Sequence, residues 1–383
     1  MADPAPRAAT LGAPGTAAAG GPPIDAVAAA AYTVPLERPE SDGTLCWTAT
    51  TLVIATVRAG DRVGTGYTYA APAVVPLVEE TLAGVLRGRD PMAVGAAWAA
   101  MCHTVRNLGR RGPVSAAIAA LDIAVWDLKA RLLDLPLVDV LGGYHQAVPA
   151  YGSGGFTSLS DAELAAQLRG WADDGLPAVK LKVGRDPDAD PRRVALAREA
   201  VGPAVGLFVD ANGAYRRKEA LRLAERFAEH DVRWFEEPVS SDDLAGLRLL
   251  RDRAPAGMEI AAGEYGWDLS HFRDLLGAEA VDCLQADVTR ACGITGVLRA
   301  AALADAAGVD LSGHCAPQVT AHALTAVWHL RHLEYFADHV RVEELAFDGV
   351  LRPEGGALRP DRSRPGHGLD VRWSDLSAYR VPV

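Results

Sequence analysis

Between residues 24 and about 70, apolar and polar positions alternate in short runs, TLVIATV at 51–57 being the clearest, broken by turn-rich pieces such as PESDG at 39–43. A period of two puts successive side chains on opposite faces, so these runs predict antiparallel strands. From 76 to 141 the period lengthens. Val114, Ile118, Leu121, Val125, Leu128 and Leu132 recur at steps of four and three, which predicts a helix from Val114 to Leu133. Strands followed by helices make an α+β arrangement.

After Gly142 and Gly143 short apolar strands, each ending in a polar or charged residue, alternate with amphipathic helices. Eight such strands end near Ser153, Lys182, Asn212, Pro238, Glu264, Asp287, His314 and Glu334. Eight strand–helix units over about 190 residues fit a parallel barrel, whose active site lies at the C-terminal strand ends. A doubly wound open sheet gives the same alternation, but its G-x-G-x-x-G turn is missing after the first strand. Beyond about Val342 a Pro/Gly-rich stretch ending in PGHG at 365–368 has no helical period and is expected to return to the first domain.

Composition narrows the function. With 383 residues, 49% hydrophobic and 23% charged, the chain is no disordered protein. Its 49 acidic against 38 basic residues leave a formal charge of -11, which repels phosphate backbones and anionic lipid, so neither nucleic acid nor a membrane is expected as partner. The five cysteines are scattered without a C-x-x-C pair, which points to a reducing compartment and no structural zinc. No apolar run is long enough to span a bilayer. The Ala/Gly/Pro-rich residues 1–23 lack the apolar core of a signal peptide and read as a flexible leader, so a cytoplasmic location is expected.

The strand ends carry the candidate chemistry. Lys180 and Lys182 point to one side of their strand, inward in a barrel, where mutual repulsion and burial would lower a lysine pKa toward general-base use. A solvated lysine pair reads the same way. Asp210, Glu236 and Glu264 end three consecutive strands in DANG, FEEP and AAGE. Three converging carboxylates need a cation, and an all-oxygen set suits Mg²⁺. Glu236 is chosen over Glu237 because it lies nearer the strand proper; the competing reading makes each acid a helix cap. Asp287 and His314 end the next two strands, where the carboxylate would orient the imidazole and raise its basicity. Glu334 ends the last, either as a protonated donor to a substrate oxygen or in a buried salt bridge to Arg331 or a neighbouring arginine.

In that order, behind an α+β domain, these residues resemble the enolase superfamily, in particular its mandelate racemase-like subgroup. The resemblance rests on VKLKVG, VDANGAY, FEEP, QADVTRACGITG and the closing PGHGL, and covers nearly everything after residue 24. It implies an α/β fold, a modified TIM barrel of (β/α)7β type over residues 146–344, with an α+β capping domain from residues 24–145 and the returning segment 345–383. It implies Asp210, Glu236 and Glu264 as ligands of Mg²⁺ or Mn²⁺. Lys182 would be one acid/base catalyst with Lys180 its helper, His314 with Asp287 the other on the opposite substrate face, and Glu334 a hydrogen-bond partner of the substrate carboxylate. A homo-oligomer is expected on the same ground.

Removing a proton next to a carboxylate creates an enediolate whose charge must be neutralised as it develops. Return of a proton to the same carbon gives a racemase or epimerase; protonation of a neighbouring hydroxyl by His314 gives dehydration to a 2-keto-3-deoxy acid. Resemblance favours an acid-sugar dehydratase acting on a small carboxylate. Residues 35–47 would close over the substrate, with Glu37, Arg38, Glu40 and Asp42 suiting a hydroxylated one. Ser153, Asn212 and Tyr265 are expected substrate contacts. GHCAP around His314 and YGSGG at 151–155 depart from the pattern and leave the substrate open. A non-catalytic metal-binding scaffold is the alternative of another class.

Overall fold

The computed structural model describes residues 21–383, so the leader expected over 1–23 lies outside them apart from its last three positions. Three antiparallel strands open the chain: β1 (Ala26–Ser41), β2 (Cys46–Ala59) and β3 (Arg62–Tyr69). Period two sorts β2 between two cores. Val53, Ala55 and Val57 pack with Ile118, Leu121 and Val125 of the helices behind the sheet, while Leu52 and Ile54 enter the larger core shared with the second half of the chain.

The helix α1 (Val94–Thr104) packs against α2 (Pro113–Leu132), which covers this sheet. The α2 backbone lies directly on β3, where a Cβ at Gly64 or Gly66 would stand 2.1 Å from the carbonyl oxygens of Ala124 and Ala120. Two buried acids fasten α2 to the rest. Asp122 accepts the Thr295 amide at 2.8 Å, and Asp127 accepts the amides of Thr65 and His367, each at 2.9 Å.

Eight parallel strands follow: β4 (Val148–Gly154), β5 (Ala178–Lys182), β6 (Gly206–Asp210), β7 (Val232–Glu236), β8 (Glu259–Ala262), β9 (Cys283–Ala286), β10 (Asp310–Gly313) and β11 (Leu330–Phe336). They pair in sequence order, and β11 closes on β4 with Glu334 opposite Tyr151 and Phe336 opposite Ser153. Helices on the outside connect them, giving the expected barrel with a separate cap. Tyr151, Ala178, Phe208, Trp234, Ala261 and Cys283 fill the barrel floor, so the inward positions nearer the strand ends face away from solvent on one side only.

Residues 35–47, expected to close over the substrate, form an irregular hairpin tip: β1 runs to Ser41, β2 starts at Cys46, and Glu40 pairs with Trp47. One expectation is corrected. The tail becomes irregular later than 342, because a helix occupies Ala337–Ala346; its end returns to the cap, where Arg380–Val381 adds a strand to β1.

Candidate active site

Strand register lines up the polar ends. Ser153 lies beside Lys180, and Lys182, Asp210 and Glu236 are neighbours across three strands. Inward alternation along β8 would point residue 263, not 264, into the barrel. Gly263, at φ +134°, breaks that alternation, and a Cβ there would lie 2.1 Å from the Gln285 carbonyl; Glu264 is thereby brought inside.

Lys180 is wholly buried, outside the cavity lining. Its ammonium donates to both Glu236 oxygens at 2.7 Å and lies 2.7 Å from Glu334 Oε1. Lys182 reaches the cavity and pairs with Asp210. The expectation of lowered lysine pKa values is wrong here. Burial lowers both, and Lys180 lowers Lys182 further, but the carboxylates outweigh this, Glu236 and Glu334 for Lys180 and Asp210 for Lys182, and both pKa values rise.

The acids divide by surroundings. Burial, then the charge of Asp210, raises Glu236 to about 7 against the pull of Lys180; burial and Glu264 push Glu237 well above the carboxylate range. Glu264 goes the other way: burial is overcome by His314, and Arg290 stands 3.3 Å from its Oε1. For Glu334 the buried salt bridge holds with another partner: Lys180, then His314, outweigh burial and keep its carboxyl below the usual range, against the protonated reading, while Arg331 pairs with Glu259 and Asp310.

The imidazole of His314 donates from Nδ1 to Asp287 Oδ2 at 2.7 Å, and Asp287 is itself held by the amide of Thr289 at 2.7 Å. Burial alone would lower the His314 pKa, but the surrounding negative charge and the Asp287 hydrogen bond raise it well above the ordinary value. Its Nε2 lies 3.0 Å from Glu264 Oε2.

A cavity of about 190 Å³ opens over these groups. Lys182, His314, Glu264 and Glu334 line it, as do Asn212 and Tyr265, two of the three expected substrate contacts. Ser153 does not. It is fully buried and its hydroxyl donates to Glu334 Oε1 at 2.5 Å, so it holds that carboxylate in place. From the hairpin tip Asp42, Leu45 and Trp47 reach the cavity, but both Leu45 and Thr44 amides bond to Asp42 Oδ1, which closes the turn. Glu37 and Arg38 are exposed, Arg38 pairing outward with Glu163, so the tip presents less charge to the cavity than expected. Sequence reading passed over Arg290, Cys315 and His339, which also line the cavity. Arg290 stood in the quoted QADVTRACG segment, three residues after Asp287, and its guanidinium lies 5.0 Å from the Tyr265 ring centre.

The donor set fits a hard divalent cation. Asp210, Glu236, Glu237, Glu264, Asp287 and Glu334 are six buried carboxyl groups, facing four cations in Lys180, Lys182, Arg290 and the protonated His314. Glu237 Oε1 and Asn212 Oδ1 are buried without a hydrogen-bond partner. Ligand atoms of Glu236, Glu264 and His314 lie within 4.8 Å of one another. Buried oxygens in excess of charge and of donors are what an all-oxygen cation site requires.

Residues 163–375 match the family described as enolase C-terminal domain-like, and residues 28–142 the mandelate racemase/muconate lactonizing enzyme N-terminal domain. The chain is 35% identical to the 3,6-anhydro-alpha-L-galactonate cycloisomerase of Streptomyces coelicolor, over 86% of this chain and 91% of that one. A solved mandelate racemase/muconate lactonizing enzyme-like protein from Rubrobacter xylanophilus superposes with a TM-score of 0.92 at 54% identity, over 94% of this chain and all of that one. The L-talarate dehydratase of Polaromonas sp. JS666, solved with Mg and L-glucarate, does so with a TM-score of 0.84 at 30% identity, over 94% and 98%. Fold, strand-end residues and these likenesses agree: the chain belongs to the mandelate racemase/muconate lactonizing enzyme family of the enolase superfamily.

Proposed function

We propose that the protein removes the proton α to the carboxylate of a small hydroxylated acid and then expels water from the next carbon, as an acid-sugar dehydratase. The observation that carries this reading is that Lys182 and His314 both reach one cavity, from strands β5 and β10, on either side of Glu334. Asp210, Glu236 and Glu264 would hold Mg²⁺, or Mn²⁺ in its place. When bound, that cation supplies Lewis acidity to the substrate carboxylate and withdraws from Lys182 the carboxylate charge that keeps it protonated.

Lys182 is the base toward the α-carbon. His314 carries its proton because of the charges around it and so acts as the acid that protonates the departing hydroxyl. Asp287 fixes the ring with Nε2 toward the cavity. Glu334, anchored by Lys180, Ser153 and the Cys315 amide, offers an acceptor to a substrate hydroxyl in place of the donor expected from sequence. Tyr265 and Asn212 line the same space and would contact further hydroxyls.

One observation favours a second reading. Leu45, Trp47 and Phe336 form an apolar wall, with Trp47 edge-on to Phe156 and Phe156 to Phe336, which suits an acid with an apolar substituent and therefore a racemase or epimerase. A complete acid/base pair argues against a non-catalytic scaffold. A cytoplasmic location and a homo-oligomer belong to the same proposal. The test is mass spectrometry of pooled aldonic, aldaric and other 2-hydroxy acids incubated with the protein and Mg²⁺ in D₂O. Loss of water from one member supports the dehydratase; deuterium uptake without water loss supports the second reading; no change in any member contradicts both.

A further inference from the structure

Cys315 sits where three chemically different donors meet. Its Sγ lies 3.3 Å from His314 Nε2 and 3.2 Å from Glu334 Oε2, and those two atoms are 3.4 Å apart. Ligands at zinc distances of about 2.0–2.3 Å in tetrahedral array are separated from each other by about 3.3–3.6 Å. The triangle is therefore close to the size that one Zn²⁺ would span.

Each donor is held from behind. His314 is oriented by Asp287, the carboxylate–histidine arrangement that fixes tautomer and raises ligand basicity at metal sites. Glu334 is held through its other oxygen by Ser153 and Lys180, which leaves Oε2 toward the thiol. Cys315 and Ala316 both have left-handed backbones, at φ +50° and +43°, a rare conformation for residues with a Cβ. The Ala316 amide donates to His339 Nδ1 at 3.2 Å and helps to keep that turn. All three donors line the cavity, so a fourth position stays open to it.

We propose that His314 Nε2, Cys315 Sγ and Glu334 Oε2 form a binding site for a thiophilic divalent cation, Zn²⁺ foremost, adjoining the all-oxygen set of Asp210, Glu236 and Glu264 through Glu264, whose Oε2 lies 3.0 Å from His314 Nε2. A thiolate selects zinc or cadmium over magnesium, so the two sets sort cations by softness. Binding replaces the thiol proton and the Nε2 proton of His314, both of which leave to solvent, so two protons are released per ion. Resting on the role proposed above for His314, occupation of Nε2 removes the general acid, and zinc inhibits turnover in Mg²⁺-saturated protein.

Cadmium is the probe, because a cadmium–thiolate bond has its own ultraviolet charge-transfer band. Titration of the full chain, saturated with Mg²⁺, is expected to produce that band with two protons released per ion, and Zn²⁺ to displace it. Cys315→Ser should abolish the band, while replacing the neighbouring thiols Cys102 and Cys292 by serine should preserve it. A band retained in full by Cys315→Ser overturns the proposal, as does saturation of the wild type with no band. His314→Gln and Glu334→Gln keep the thiol and should each weaken cadmium at least tenfold; unchanged affinity in both also overturns it. A band with turnover unimpaired supports the site and counts against the catalytic role of His314.

Discussion

His314 Nδ1 and Asp287 Oδ2 lie 2.7 Å apart, both side chains buried, at the tips of the adjacent strands β10 and β9. Asp287 is not among the cavity-lining residues, and it meets that lining through the ring at 2.7 Å and, less closely, through Arg290 at 3.6 Å. Its effect on the chemistry therefore passes chiefly through the imidazole, the nearer partner. Asp287→Asn is expected to lower kcat by roughly 10²–10⁴-fold, the range for losing an oriented acid/base group. Proton exchange at the α-carbon by Lys182 should largely survive. Loss of exchange and elimination in equal measure, followed by NMR in D₂O, would show that Asp287 supports the whole site and not the histidine alone.

The excess of buried carboxylates over cations makes a second prediction. Mg²⁺ should raise the thermal midpoint, and chelation should lower it, with a stabilisation of about 2.7 kcal/mol at a hundred times the dissociation constant. Asp210→Asn, read by calorimetry with and without Mg²⁺, should lose that increment. An undiminished increment in the variant would remove Asp210 from the ligand set.

A third prediction concerns the seam between cap and barrel. The Tyr67 hydroxyl donates to Glu343 Oε1 at 2.6 Å, and burial raises the Glu343 carboxyl to about 8. The folded chain thus keeps a proton that the unfolded chain releases near 4.5. Its stabilising contribution is full below that value and is lost as pH rises through about 8, with a slope of at most about 1.4 kcal/mol per pH unit. Urea unfolding between pH 5 and 8 should show this decline, and Glu343→Gln should flatten it. An equally steep decline in the variant would assign it to other groups.

The strands and their polar ends were legible because alternation and strand-end chemistry are local. Gly263 is the exception that matters: strict alternation would have turned Glu264 outward, and only the close approach to Gln285 explains why it comes in. The lysine pKa values went astray for a related reason. The K-x-K spacing shows two ammonium groups to each other, whereas the carboxylates that decide their charge come from β6, β7 and β11. Arg290, Cys315 and His339 were missed because they lie beyond strand ends, on turns and a helix whose direction is set by packing. Ser153 was found at the right strand end but one layer too near the substrate, since its partner Glu334 is 181 residues away.

The central claim is that Lys182 takes the proton from the α-carbon and His314 protonates the hydroxyl that leaves the next carbon. It is tested most directly by the rate of deuterium incorporation at that carbon in D₂O with Mg²⁺, comparing wild type, Lys182→Ala and His314→Asn on the acid that the library identifies. Exchange is expected in the wild type, absent in Lys182→Ala, and retained without water loss in His314→Asn. Exchange that persists in Lys182→Ala at the wild-type rate would contradict the account and move the base to His314.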